Sequence, residues 1–317
     1  MSKKISLVFM TSTLYGWEIV KKLNKLEFIN LNLVITAKDK PYGRRRKIKE
    51  SPIKRLCREI SIRCYQTDDV NSQESLRSMR ATASQVLIVV DFGQILSGEV
   101  LKLFPEGCFN IHYSILPDLR GPAPVRWALL KGYKKTGVSI IRMAEKVDKG
   151  DIIISSEVDI EHKDNYFTLK QKLTNKAIKL AKDVIKRIYK GEEIKYLPQK
   201  EMGEPSYAPK IEKRMTKIIW KKEAQDILNQ IRAFSPEPGS YTIWKKNNRR
   251  VKIYKAEKTS QVADEFGIVN QVNKNYFSIS CGRESLKILE IQPAGKRKMD
   301  VKEFLAGNNI EPGDEFE

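Results

Sequence analysis

The chain has 317 residues, 41% of them hydrophobic, and a formal net charge of +20. That length allows one large domain or two ordinary ones, and no apolar run approaches the roughly 18 residues a membrane-spanning helix needs. Four cysteines (Cys57, Cys64, Cys108, Cys281) without metal-ligand spacing, and only two histidines, exclude the usual zinc sites and point to a reducing cytoplasm.

Ile5 to Met10 is a continuous apolar run, the pattern of a buried parallel strand. It is too short for a secretory signal and lacks a small-residue cleavage site. Gly16 to Leu23 predicts a helix with Trp17, Val20 and Leu23 along one side, and Leu31 to Ile35 a second strand. No G-x-G-x-x-G fingerprint lies between them, so a dinucleotide is not indicated. Asp39 to Lys47 combines Pro41, Gly43 and a charge run and predicts an exposed loop. Ser51 is a candidate N-cap, with Pro52 at the first helical position.

Between Lys38 and Arg63 there are 11 basic and 3 acidic residues, and between Lys245 and Lys258 7 basic and 1 acidic. Two such clusters suit a surface that holds a long anion; a pair of solvated loops is the alternative.

Val86 to Val90 predicts a further buried strand, followed by Asp91-Phe92-Gly93. Phe109-Asn110-Ile111-His112 alternates apolar and polar residues, so Asn110 and His112 share one face of a strand that ends at a Pro- and Gly-rich loop. An amide there can donate to an oxygen gaining negative charge, and an imidazole can take a proton. A polar strand end with satisfied hydrogen bonds is the plainer reading. Pro124 to Leu130 predicts a short buried helix and Thr136 to Met143 a strand. A turn-rich loop, Lys146 to Asp151, leads to the strand Ile152 to Ile154. Phe167 to Tyr189 predicts a long amphipathic helix whose stripe is Leu169, Leu173, Ala177, Leu180, Val184 and Ile188.

Residues 191–209 are punctuated by Pro and Gly and read as a linker. Ala224 to Phe234 predicts a helix. Short strands follow at Tyr241 to Trp244, Val251 to Lys255, Gly267 to Val269, Tyr276 to Ile279 and Leu286 to Ile291, a spacing that suggests a small barrel.

Three stretches taken together carry more. Asn110-x-His112, then Ser114-Ile115-Leu116-Pro117 with Arg120-Gly121, then Asp148-x-Gly150-Asp151 resemble, in order and spacing, the folate-dependent formyltransferase family, with its N-x-H, S-L-L-P-x-x-R-G and D-x-G-D. The resemblance implies an α/β, Rossmann-like doubly wound sheet followed by a small OB-like β-barrel. The divisions would be a catalytic domain at 1–190, a linker at 191–209 and a barrel at 210–317. It implies formyl transfer from 10-formyltetrahydrofolate to an amine, with no metal. Asn110, His112 and Asp148 would be catalytic, and Phe92, Gly93, Ser114, Ile115, Leu116 and Pro117 would bind the folate. His162, in a charged turn, reads as solvated.

Two stretches depart from the family pattern. Thr11-Ser12-Thr13 stands where Gly-Thr-Pro is frequent, and Asp91 replaces the small residue of V-A-Y-G. Asp39 to Lys47 resembles the D-x-P-A-G-R-G-K loop of the branch that formylates initiator methionyl-tRNA. Tyr42, Arg44, Arg45, Arg46 and Lys47 would then meet the tRNA. Tyr207-Ala208-Pro209-Lys210, Ile231 to Phe234 and Leu286 to Lys296 resemble the same branch. Its members imply a monomeric, cytoplasmic enzyme of translation initiation. A sugar-nucleotide amine formyltransferase, a formyltetrahydrofolate hydrolase and a non-catalytic RNA-binding relative are the alternatives.

Overall fold

A seven-stranded sheet carries the first half of the chain. The computed structural model describes residues 4–42, 47–260 and 265–317, the side chains of 40–42 and 47–49 excepted. The elements begin β1 (Ile5–Met10), α1 (Leu14–Leu23), β2 (Ile29–Thr36), β3 (Lys40–Tyr42), β4 (Lys47–Lys49), α2 (Pro52–Glu59), β5 (Cys64–Gln66) and α3 (Gln73–Arg80). They continue β6 (Val86–Val89), α4 (Gly98–Leu101), β7 (Gly107–His112), α5 (Pro124–Leu130), β8 (Lys135–Arg142), β9 (Ile152–Asp159) and α6 (Tyr166–Lys190). The strand order is β5-β2-β1-β6-β7-β8-β9. β1 runs parallel to β2 and β6, β2 to β5 and β6 to β7, whereas β8 is antiparallel to β7.

The chain builds outward from β1 through β2 to β5, then returns to the other side of β1 for β6 and β7. The order therefore reverses between β1 and β6. In an open α/β sheet the crevice beyond the carboxyl ends of the strands at such a reversal is where ligands bind. The central strands read as apolar runs because both faces are covered; Leu7, Val8, Phe9 and Met10 are fully buried. The predicted stripe of α6 is buried along its length.

Residues 40–42 and 47–49 differ from the expected loop. β3 and β4 form a two-stranded antiparallel ladder, with Lys40 opposite Lys49 and Tyr42 opposite Lys47. Asp39 anchors its base by accepting the Ser51 N–H at 2.8 Å, the Gln66 amide at 2.6 Å and the Lys54 ammonium at 3.1 Å. These bonds, the Gln66 amide foremost, hold the Asp39 carboxyl down to about 2. Ser51 and Pro52 do open α2, but the Ser51 hydroxyl makes no capping bond.

The chain divides into two compact units, Met1–Pro124 with Thr136–Asp159 and Lys170–Pro209, and Val125–Lys135 with Ile160–Leu169 and Lys210–Glu317. The second contains α7 (Ala224–Phe234), β10 (Ser240–Trp244), β11 (Arg249–Thr259), β12 (Val269–Val272), β13 (Phe277–Ser280), β14 (Ser285–Pro293), β15 (Met299–Asp300) and α8 (Val301–Ala306). β10-β11-β14-β13-β12 form an antiparallel sheet, with β15 on β14. Its last residues close it into a small barrel. Ile243 and Glu317 exchange backbone bonds at 2.7 and 2.8 Å on one side, while on the other Val269 donates to Asp314 at 2.8 Å and Phe316 to Gly267 at 2.7 Å. Closure satisfies two edges that would otherwise invite pairing. Phe316 drops inside, its ring 6.1 Å from Trp244 and 5.7 Å from Phe277.

Candidate active site

Asn110 and His112 end β7, on the carboxyl side of the sheet. Val89 of β6 pairs with Asn110, and Ser139 of β8 pairs with His112. The turn between β8 and β9 brings Asp148 to the same place. Asn110 Nδ2 donates to Asp148 Oδ1 at 3.2 Å, and His112 Nδ1 lies 3.5 Å from that same oxygen. The histidine side chain is 6% exposed and the aspartate 8%, so their interaction is little screened by water.

The other ring nitrogen has its own partner. His112 Nε2 lies 3.0 Å from the Leu119 carbonyl oxygen. A carbonyl only accepts, so Nε2 carries the proton. Nδ1 faces the Asp148 carboxylate.

The loops around these residues are tightly constrained. Asp148 has φ +52°, a left-handed conformation that Asp tolerates better than most residues. Its Oδ2 accepts the Gly121 N–H at 2.8 Å, and the Gln199 amide donates to its carbonyl at 2.9 Å. Gly150 must lack a side chain, because a Cβ there would stand 1.7 Å from the Arg142 carbonyl oxygen. Gly121 has φ +116° and passes within 2.8 Å, measured from a hypothetical Cβ, of the Ala208 carbonyl oxygen.

The residues read as folate-binding fall into two groups. Ser114, Leu116 and Pro117 are buried. The Ser114 hydroxyl donates to the Asp118 carbonyl at 2.5 Å, the Leu116 N–H to the Ser139 hydroxyl at 3.1 Å, and Leu116 packs on Ile141 and Ile152. Ile115 is half-buried. Phe92 belongs to the core beside Leu96, Val100 and Phe104. Gly93, by contrast, has φ +81° with open space where a Cβ would stand, and the nearby Ile95 is 64% exposed.

Arg44, Arg45 and Arg46 lie outside the described residues, as do the side chains of Tyr42 and Lys47, whose backbones end the β3–β4 ladder. Among the described residues no group of three or more His, Cys, Asp or Glu is placed to hold a metal ion, and no helix is long and apolar enough to cross a membrane.

Sequence reasoning missed Gln199, Ser206 and Lys170. The first two come from the Pro- and Gly-punctuated stretch that reads as linker. The third sits on the polar-looking flank of α6, where its ammonium is buried against Asp91. A glutamine directly after a proline, or a lysine one residue past Leu169, gives no signal of a partner 51 or 79 residues away.

Known proteins are similar to this chain along both of its halves. Residues 3–185 match the model for the formyl transferase family, and residues 210–309 the model for the formyl transferase C-terminal domain. A methionyl-tRNA formyltransferase of Caldanaerobacter subterraneus subsp. tengcongensis is 35% identical over 97% of this chain and 98% of its own. That of Bacillus subtilis is 35% identical over 89% and 88%. Among solved structures, an N-formyltransferase from Helicobacter canadensis in complex with folinic acid and dTDP-3-aminofucose superposes with a TM-score of 0.63, at 20% identity, over 93% of this chain and all of that one. HypX from Aquifex aeolicus in complex with tetrahydrofolic acid gives 0.63 at 15% identity, over 97% of this chain and half of that one. At those identities the two structures share a fold with this chain. The matches to both domains, and 35% identity carried through nearly the whole length, show that the chain belongs to the formyl transferase family.

Proposed function

We infer that this chain transfers the formyl group of 10-formyltetrahydrofolate to the α-amine of methionyl initiator tRNA, for translation initiation. The observation that carries the inference is its identity to methionyl-tRNA formyltransferases through both domains, over 97% of its length. A sugar-nucleotide amine as acceptor is not favoured.

The co-substrate supplies an activated formyl carbon. Gly93 and Ile95 offer it an open backbone and an exposed apolar surface at the reversal of strand order. The buried bonds of Ser114 and Leu116 hold the neighbouring loop in shape. We read Asn110, His112 and Asp148 as the reaction centre. One Asn110 N–H is taken by Asp148; the other remains to donate to the formyl oxygen as it gains charge, a contribution worth about 2.7–4 kcal/mol of barrier in comparable sites. His112 takes up the proton that the attacking amine must lose, for roughly 100- to 10,000-fold. The Asp148 carboxylate, 3.5 Å away, stabilises the imidazolium that results.

The reading takes residues 1–190 as catalytic domain, 191–209 as linker and 210–317 as barrel. It has Tyr42, Arg44, Arg45, Arg46 and Lys47 meet the acceptor stem, and it includes a monomer working in the cytoplasm, which suits four cysteines all present as free thiols. The test is acceptor choice. Initial rates are compared with methionyl initiator tRNA and with an amino-sugar nucleotide, across a salt series. Transfer to the tRNA with a steep loss at higher salt is expected, because bound phosphates release counterions. Transfer to the sugar alone would overturn the reading.

A further inference from the structure

The segment after α6 runs past the reaction centre twice. Leu197 bridges to Ile152, and Tyr207 to Arg120. Between these bridges lie two side chains whose bonds converge on the turns that hold His112 and Asp148.

Gln199 is one, 3% exposed. Its Nε2 donates to the Asp148 carbonyl at 2.9 Å and to the Gly150 carbonyl at 2.7 Å. Its Oε1 accepts from Arg120 Nη2 at 2.6 Å and Nε at 3.0 Å. The whole hydrogen-bonding capacity of the amide is in use. Ser206 is the other: its hydroxyl accepts the Leu119 N–H at 2.9 Å and donates to the Asp118 carboxylate. Leu119 is the residue whose carbonyl takes the His112 Nε2 proton.

Both turns need such support. Asp148 has φ +52° and Leu119 φ +56°, a region that residues other than glycine occupy only when their surroundings hold them there. The Gly121 N–H fixes one end of the Asp148 side chain. The direction in which that side chain leaves the backbone depends on the peptide groups that flank it, and Gln199 bonds the carbonyls of Asp148 and Gly150.

We propose that Gln199 is a positioning residue for formyl transfer, and that residues 197–208 form a strap that sets the Asp148 carboxylate against Asn110 and His112. The inference rests on the reading of Asp148 as a member of the reaction centre. It makes the stretch that reads as a linker a part of the catalytic geometry, with Arg120 acting on Asp148 through Gln199.

A double-mutant cycle on the full chain tests it, with kcat and both KM values measured for formyl transfer to methionyl initiator tRNA. Gln199→Ala lowers kcat by roughly 10- to 100-fold, the scale of a misplacement of about 1 Å, while both KM values stay within about threefold. Gln199→Glu, which keeps the acceptor for Arg120 but has no N–H for the two carbonyls, does the same; it carries the test if the alanine variant fails to fold. In an Asp148→Ala background the same substitutions change kcat by less than about threefold, because residues that act through one another are not additive. An equal factor in both backgrounds, or full kcat in Gln199→Glu, overturns the strap while leaving the role of Asp148 standing. Full kcat in Asp148→Ala alone removes that role, and the inference falls with it.

Discussion

The Lys170 ammonium lies 3.0 Å from one Asp91 carboxylate oxygen and 3.1 Å from the other, and 3.2 Å from the centre of the Tyr113 ring. Asp91 Oδ2 also accepts the Thr13 hydroxyl at 3.1 Å, and its carbonyl accepts the Ser12 N–H at 3.2 Å. Thr13 Oγ1 in turn caps α1 by accepting the Gly16 N–H at 3.2 Å. The two stretches unlike the family pattern, after β1 and after β6, are therefore halves of one bonded cluster. With the lysine side chain 5% exposed, removing its partner alone strands a charge. Asp91→Ala is expected to lower stability by about 3 kcal/mol. Asp91→Ala with Lys170→Met recovers most of that loss in urea unfolding; a double variant as unstable as the single one would contradict it.

The four thiols differ in reactivity for identifiable reasons. Burial pushes the Cys108 and Cys281 thiols up to about 12. A hydrogen bond within the Cys57–Cys64 pair pushes Cys57 up and Cys64 down, and Cys64 is the partly exposed member. A thiol-disulfide reagent at pH 7 should label Cys64 in a fast phase and the others slowly, since the thiolate is the nucleophile. Cys64→Ser should abolish that phase; a fast phase that survives it would be incompatible with this arrangement.

Asp39 links the β3–β4 ladder to acid stability. Its carboxyl is held at about 2 rather than 3.8, through the Gln66 amide first, then the Ser51 N–H and Lys54. A depressed carboxylate contributes fully above its unfolded value and loses that contribution as pH falls toward its folded one. Asp39→Asn should therefore lower stability at pH 7 by no more than about 1 kcal/mol, because solvent still reaches the half-exposed Lys54 and screens the pair. The gap between variant and parent should close between about pH 4 and pH 2. A gap unchanged at pH 2 would exclude this origin.

Phe316 joins the closing strand to the barrel interior. Phe316→Ala should destabilise the barrel by about 3–5 kcal/mol, the range for a buried phenylalanine. Thermal unfolding followed through the near-ultraviolet signal of Trp244 and Trp220 checks it. A loss below about 1 kcal/mol would mean that the strand closes without its ring.

Legibility followed the range of the interaction. Ile5 to Met10 and the stripe from Leu169 to Ile188 are readable because burial imposes a period on neighbouring residues. Asn110 and His112 are readable as a pair because they sit two apart on one strand. That Asp148 meets them depends on a turn 36 residues beyond His112, and only the resemblance to a family brought it forward. Gln199 and Ser206 carry no periodic signal, and their partners are fixed by tertiary structure alone. The β3–β4 ladder escaped notice because its strands are three residues long and rich in lysine, which suits an exposed loop equally well. Closure of the barrel by residues 313–317 was equally silent, since Ile310 and Phe316 are isolated apolar residues in a polar stretch and show no strand alternation.

We propose that His112, held by Leu119 and faced by Asp148, moves the proton in formyl transfer to methionyl initiator tRNA. Single-turnover transfer from 10-formyltetrahydrofolate, with the intact chain and His112→Ala side by side, tests it most directly. The intact chain should formylate readily, and the variant should fall by roughly 100- to 10,000-fold. Equal rates in the two, or no formylation of the tRNA by the intact chain, would contradict it.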